Sequence, residues 1–339
     1  MYDILQGALR QKVFALVVLM LGCFGVIQNG IGQECSVVIM KELYFQPATE
    51  MAGEKTFPEV IIIENEEISV WSVPNRGRFI FDLIRRKTGR SQLVATRTPL
   101  PVRFHRVYMF EFGGIYSTFP WHKRDHQPLL LEMEVVEDED CGLRMWSTDP
   151  GTEISLVVDL LVPLTGSELT VVLCLTNPRF VDQTIDFGLV MIARPGGAMS
   201  KNTELLIPAA SVMVGESDGQ WMGGKGREVS WPTTWRMWGD FARAGTFYVD
   251  VKSMSAPFVA VYNPDANEAL RLRWDRERPW TTCEIFSWGP AYAEIRGAYD
   301  GFRFELKAER LTIPQKSNRV LQVRIAVLGE RPSDGLFEH

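Results

Sequence analysis

Tyr292, Glu294 and Arg296 would share one face of a strand, because successive strand residues alternate between the two faces. That face would carry an aromatic ring, a carboxylate and a guanidinium in a row. Ala291, Ala293 and Ile295, on the other face, are small or apolar groups that can pack. Trp288-Gly289-Pro290 leads into the segment and sets a turn and a large ring at its mouth. A concave sheet presenting this row could hold a small polyhydroxylated ligand. A plain solvated strand would show the same alternation.

Acid–base chemistry on such a ligand needs a second group beside the Glu294 carboxylate. His105, His122 and His126 are the choices within the body of the chain, since His339 lies in the tail. His122, next to Trp121, is the better pocket candidate, and the alternative is a solvent-facing loop histidine. The spacing of four between His122 and His126 would suit a metal on a helix. Pro120 and Pro128 bracket that segment, however, and it reads as a loop. A Ca²⁺ site in Glu137–Asp140 is weaker than the plain reading of a solvated turn. No cofactor and no metal is expected.

Seven tryptophans fall between Trp221 and Trp288, namely Trp221, Trp231, Trp235, Trp238, Trp274, Trp280 and Trp288. An indole can stack on the C–H face of a sugar ring and donate its N–H to a hydroxyl. The competing reading is core packing, which suits Trp274. Gly215–Gly226 reads as a long loop that could cover a pocket. Gly223-Gly224-Lys225-Gly226 lacks the spacing of a phosphate loop, and no Gly-x-Ser-x-Gly elbow is present. Glycoside hydrolysis would need a carboxylate facing Glu294, with Asp240, Glu284 and Asp300 as unranked options.

The elements that must position these groups are strands. Short β-rich runs punctuated by Gly, Pro, Asn and Asp extend from Val60–Ile63 to Val320–Val327, with Tyr292–Arg296 among them. Phe302, Phe304 and Leu306 alternate with Arg303, Glu305 and Lys307, and in 271–274 Arg271 and Arg273 oppose Leu272 and Trp274. Arg86-Lys87-Thr88-Gly89-Arg90 reads as a tight connection with glycine where a positive φ is useful. Asn177-Pro178 and Asn263-Pro264-Asp265 start turns. Strand follows strand without an amphipathic helix of any length, apart from a possible helical turn near Thr233–Ala244. The expected fold is therefore all-β, a large antiparallel β-sandwich in a single domain over residues 33–329. The tail, residues 330–339, is expected to be loose.

The chain has 339 residues and a formal net charge of −6, with no basic stripe, so nucleic acid is not an expected partner. Arg10 and Lys12 precede the apolar run Val13–Ile27, which is short for a spanning helix and fits a signal peptide over residues 1–32. Gly30 and Gly32 suit a cut before Gln33. Met20-Leu21-Gly22-Cys23 is an imperfect lipoprotein box, so a lipid anchor or an uncleaved leader is the expected limit of membrane contact. Secretion or a periplasmic location follows. Cys35, Cys141, Cys174 and Cys283 would remain, and four cysteines allow three pairings.

Three segments together resemble the galactose mutarotase-like, or aldose epimerase-like, β-supersandwich superfamily. The first runs from Ser69 through Pro74-Asn75-Arg76-Gly77-Arg78-Phe79-Ile80 to the Lys87–Arg90 turn. The second is Phe110-Glu111-Phe112-Gly113-Gly114-Ile115, ending in Phe119-Pro120. The third is Trp280–Gly301, whose Glu294 stands where the resemblance implies a catalytic glutamate on a late strand. The resemblance implies a sugar pocket on a concave sheet, a mono- or oligosaccharide ligand, and an epimerase-type reaction with Glu294 as general base. His122 would then be the acid, and Trp121, Trp288, Tyr292, Arg296 and Arg271 would bind substrate. The chain departs from the family in lacking its Asn-His-aromatic and His-Pro-aromatic segments. Where the second would fall, this chain reads Ala193-Arg194-Pro195. Sugar binding without catalysis, and a structural β-sandwich at the cell surface, are the competing expectations.

Overall fold

The computed structural model describes residues 24–26, 36–44, 56–74, 77–104, 107–119, 130–132, 140–277, 279–292 and 300–332. The first strands are β1 (Phe24–Val26), β2 (Ser36–Tyr44), β3 (Thr56–Glu64), β4 (Ile68–Val73), β5 (Arg78–Arg85) and β6 (Arg90–Ser91). Next come β7 (Ala95–Phe104), β8 (Val107–Gly113), β9 (Ile115–Ser117), β10 (Leu130–Glu132), β11 (Asp140–Thr148) and β12 (Ser155–Pro163). They are followed by β13 (Glu168–Asn177), β14 (Gln183–Ala193), β15 (Glu204–Leu206), β16 (Ser211–Ser217) and β17 (Glu228–Ser230). The last are β18 (Gly245–Asp250), β19 (Phe258–Asn263), β20 (Glu268–Trp274), β21 (Thr282–Ser287), β22 (Phe302–Ile313) and β23 (Ser317–Leu328).

Among the described residues these strands form two large antiparallel sheets. The longer has 13 strands in the order β1-β2-β3-β4-β5-β9-β14-β22-β21-β18-β16-β17, with β6 beside β5. The other has eight, in the order β10-β11-β12-β13-β23-β20-β19-β15, and β7 and β8 pair separately. The expected all-β sandwich is what the chain adopts.

Alternation explains the sandwich. In β12 and β13 every second residue is buried, giving Leu156, Val158, Leu160 and Val162 on one strand and Leu169, Val171, Leu173 and Leu175 on the next. They face Phe187, Leu189 and Met191 of β14 and Phe302, Phe304 and Leu306 of β22 across one continuous core. Burying a single side chain of this size stabilises the fold by about 1.5–3 kcal/mol. The chain therefore holds its β-rich runs by their apolar faces and leaves the opposite faces for other work.

The two sheets are also tied at their rims by buried polar side chains. Asn177, at the end of β13, donates from Nδ2 to the carbonyls of Val181, Ile313 and Pro314, the second of which ends β22 in the longer sheet. Asn263, at the end of β19, donates to Pro195 and Ala198 beyond β14. Asn65, between β3 and β4, donates to Pro163 and Gly166 at the β12–β13 turn. Each amide oxygen accepts backbone N–H groups of its own turn in return. Glu268 of β20 is fully buried and accepts from Thr88 and Gln92 at 2.7 Å, with Arg85 at 3.5 Å. The Arg86–Gly89 turn that carries Thr88 forms as expected, with Gly89 at φ +67°.

One local expectation is corrected and another is met in part. The stretch from Arg194 to Ala244 contains the three short strands β15, β16 and β17, each too brief or too glycine-interrupted to show a period. Gly215–Gly226 is no open loop over a pocket: Met222 is buried in the core and Trp221 packs against it. The helical turn expected near Thr233–Ala244 is a single 3₁₀ turn, Trp238–Asp240.

Replacing Asn177 by Ala strands three carbonyls at the rim and is expected to cost about 2–4 kcal/mol in a urea titration. Thr184→Ala, at an exposed cross-strand hydroxyl pair, is the control and should cost less than about 0.5 kcal/mol. Equal losses in the two variants would show that the asparagine does not tie the sheets.

Candidate functional site

The outward face of the longer sheet carries a charged row at its centre, set by strand register. In antiparallel pairs, residues directly opposite one another project to the same face. Glu305 of β22 lies opposite Glu284 of β21, and Glu284 lies opposite Tyr248 of β18. On the other side Glu305 lies opposite Val190 of β14, which lies opposite Tyr116 of β9. One line across five strands thus reads Tyr116, Val190, Glu305, Glu284, Tyr248.

Two carboxylates directly opposed across strands repel each other. Two cations from β22 offset this. Arg303 donates from Nη2 to Glu305 at 2.7 Å and lies 3.7 Å from Glu284, while Lys307 donates to the other oxygen of Glu284 at 2.5 Å. The Lys307 ammonium also stands 5.8 Å above the Tyr248 ring. Only 9% of the Glu305 side chain and 17% of Glu284 is exposed, so these pairs are largely removed from water. There each charge–charge contact is stronger than in open water.

Gly188 makes room for this row. A Cβ there would stand 2.6 Å from Thr118 Oγ1 and 2.9 Å from Glu305 Oε1, so any larger residue would push the carboxylate out of place. Beside the charges Val94, Val190 and Ile192 are buried, and the part-exposed rings of Tyr116, Phe286 and Trp288 pack over them as an apolar floor. The Arg78 guanidinium sits 3.7 Å over the Tyr116 ring, and Phe286 and Trp288 meet edge to face at 5.1 Å. Rings and aliphatic groups next to fixed donors and acceptors make an amphipathic floor, which matches the two-sided character of a sugar ring.

Burial opposes the Lys307 ammonium, but Glu305 and Glu284 outweigh it and raise the pKa above its ordinary 10.5. Burial, and then the charge of Glu284, raises the Tyr248 phenol above 10.0. Lys307 and Tyr248 therefore both hold their protons at neutral pH beside two carboxylates. Under the row, burial above all, then Glu284 and Glu305, pushes the Cys283 thiol far up, which makes it a packing group and not a nucleophile.

The groups singled out from sequence fall in different places. Trp288 borders the apolar floor. Arg271 does not belong to this face: it lies on β20 of the eight-stranded sheet, bound to Glu168 at 3.0 Å. The strand expected over Tyr292–Arg296 does not start at Tyr292, because Gly289 at φ +73° and Pro290 turn the chain into a 3₁₀ turn over Pro290–Tyr292. Glu294 and Arg296 lie outside the described residues, as do Trp121, His122 and His126. Among the unranked carboxylates, Glu284 is in the row, while Asp300 pairs with Arg194 at 2.9 Å and Asp240 sits exposed in the Trp238–Asp240 turn. Trp231, Trp235, Trp238, Trp274 and Trp280 are buried in the core, with Trp221 packed on it, so the tryptophan-rich stretch is a core and not a stacking platform. Glu305, Arg303, Lys307, Tyr248, Tyr116 and Arg78 went unassigned. Their alternation was visible at 302–307, but the register that sets Glu305 opposite Glu284 was not.

No protein-family model matches the chain, and no curated protein does. Solved structures do match. A TPR-domain containing protein from Parabacteroides distasonis aligns with a TM-score of 0.72 at 13% identity over 92% of this chain. That match spans only 58% of the Parabacteroides chain. A presumptive aldose 1-epimerase from Klebsiella pneumoniae aligns at TM-score 0.60 and 10% identity, over 88% of this chain and 85% of that one. A galactose mutarotase-like protein from Clostridium acetobutylicum aligns at 0.53 and 10% identity, over 80% and 95%. Likeness at these identities establishes the fold, a galactose mutarotase-like β-sandwich.

Both raised pKa values mean that the folded chain holds these protons more tightly than the unfolded chain. The stabilisation is therefore complete below about pH 10 and is lost as pH climbs through the folded-state values. Thermal unfolding between about pH 8 and 12 should show Tm falling above about pH 10, less steeply in Tyr248→Phe. The same slope in wild type and Tyr248→Phe would remove Tyr248 from the coupled row.

Proposed function

We propose that this chain is an exported carbohydrate-binding protein whose sugar lies on the outward face of the longer sheet, over Glu305 and Glu284. The observation that carries this reading is the cross-strand carboxylate pair, each member held by a cation, directly beside an apolar floor bordered by Tyr116, Phe286 and Trp288. Carboxylates and cations held this way are preorganised to bond hydroxyls, and the part-exposed rings of Tyr116, Phe286 and Trp288 receive the C–H face of the ring. The fold supports the same reading, because structures of this shape include proteins described as a presumptive aldose 1-epimerase and as galactose mutarotase-like.

A catalytic version has one observation in its favour. Anomer interconversion needs a base for the anomeric hydroxyl and an acid for the ring oxygen. The row sets carboxylates beside two groups that hold protons at neutral pH, Lys307 and Tyr248. In this version Glu294 keeps the general-base role that the resemblance implies, and His122 is replaced as acid by Lys307 or Tyr248. Binding stands first because the chain lacks the family's histidine segments.

Export rests on the basic start and apolar run of the first 32 residues, and on Cys141, which is disulfide-bonded, while Cys174 and Cys283 are free. Disulfides persist in oxidising compartments. Cleavage before Gln33 would remove one described element, the edge strand β1. The exported, denatured protein should show two titratable thiols. Four would remove the disulfide as support for export.

Calorimetry against a panel of mono- and oligosaccharides tests the binding reading. A ligand of wild type should bind Glu305→Gln and Glu284→Gln about 10–100-fold more weakly, the worth of a charge-assisted hydrogen bond. No ligand across the panel would leave the structural reading of the sandwich. Optical rotation of freshly dissolved sugars tests catalysis: acceleration that vanishes in Glu294→Gln supports it, and no acceleration over buffer rejects it.

A further inference from the structure

The eight-stranded sheet turns a second, differently charged face to solvent. Arg271 and Arg273 point outward from β20, and Arg324 of β23 lies directly opposite Arg273. In the same face Glu168 of β13 lies opposite Ala326, itself opposite Arg271. That one carboxylate serves three guanidiniums, with Arg271 at 3.0 Å, Arg273 at 3.3 Å and Arg324 at 4.0 Å. Arg271 bonds Glu168 through Nη2, but its buried Nε has no acceptor among the described residues.

Two strands further on, Glu204 of β15 accepts from Arg331 at 2.9 Å and faces Arg236 at 3.6 Å. Between the two groups Leu206, Phe258 and Ala260 are buried, with Tyr262 packed on them. With strands about 4.8 Å apart, β23 to β15 spans about 14 Å. Around Glu168 three arginines face one carboxylate, a local excess of two positive charges on a chain whose net charge is −6. The next charged pair on that sheet, Arg144 and Asp159, neutralises itself at 2.7 Å.

Like charges set directly opposite across strands destabilise a sheet, and Arg273 against Arg324 is such a pair. Core packing does not require it, because both side chains point out. A ligand carrying carboxylate or sulfate groups would supply the acceptors that Glu168 alone cannot. Arginine suits such groups, because its planar fork matches an oxyanion with two parallel hydrogen bonds.

We propose that this face binds an acidic polysaccharide, with its anionic groups on the part-exposed guanidiniums of Arg271, Arg273 and Arg324. The proposal rests on the carbohydrate reading of the fold and adds a second site and a charged ligand class to it. The net negative charge beyond the patch disfavours a membrane or a nucleic acid, whose charge would extend past it.

Retention of the full chain on immobilised polygalacturonate, with neutral dextran, single-stranded DNA and anionic phosphatidylserine vesicles in parallel, tests the proposal. Polygalacturonate alone should retain the wild type, and added salt should weaken the retention. Arg273→Gln combined with Arg324→Gln, both solvent-facing, should lower the affinity at least about ten-fold, the loss of one or more charge-assisted bonds. Retention no better than on dextran, or unchanged in the double variant, would overturn the proposal. Equal retention on DNA or vesicles would overturn it too, because the face would then read charge alone. Loss of polygalacturonate binding in Glu305→Gln but not in the double variant would move the ligand to the first face, overturning this site and leaving the carbohydrate reading intact.

Discussion

A sandwich of two sheets must satisfy its backbone polar groups where the chain leaves one sheet for the other, and this protein does so with buried amides. A carboxamide is suited to the task because it carries two donors and an acceptor in one plane. Asn65, Asn177 and Asn263 each present Nδ2 to carbonyls of a neighbouring rim and Oδ1 to the N–H groups of their own turns, with at most 4% of the residue exposed. Glu268 does the same with charge, reaching from β20 to the β5–β6 turn. An unmade bond at such a site costs more than a made one contributes, so the rims hold the two sheets in one relation. Apolar packing alone would be less particular, since cores tolerate shifts that buried hydrogen bonds do not.

That fixed relation matters because both surface faces are products of register. β14, β22, β21 and β18 lie in the interior of the longer sheet, paired on both sides, where local opening is rarest. A slip of one residue would send Glu284 and Glu305 into the core and bring Cys283 and Phe304 to the surface. The charged row is thus held by the apolar alternation beneath it. Gly188 shows the tolerance involved, because even a methyl group there would meet Glu305 Oε1.

Much of this was legible in the sequence, but only as far as a single strand reaches. Period two at Arg303, Glu305 and Lys307 showed that these side chains share a face, and glycine at position 89 marked its turn. Which strand lies beside which is a non-local property, and no pattern in residues 282–307 announces that Glu284 meets Glu305. The same limit misplaced Arg271: alternation separates it from Leu272 but does not say to which sheet the strand belongs. The tryptophans misled for a different reason. Indoles suit a sugar platform and a core equally well, and Trp221, Trp231 and Trp235 pack with Phe241 and Phe247 into one aromatic cluster inside the sandwich. At Tyr292 the apparent strand period began inside a turn, because Gly289 and Pro290 override the alternation that follows them.

The two outward faces differ in the kind of selectivity they can express. On the longer sheet Glu284, Glu305, Arg303 and Lys307 balance one another, so a charged ligand gains little there from long-range attraction and must break an existing pair to bind. Such a site favours neutral, hydroxyl-rich groups that slot between charges already held in place. Around Glu168 on the eight-stranded sheet the cations outnumber the carboxylate, so an anion is drawn in before contact and finds arginine donors that Glu168 does not fill.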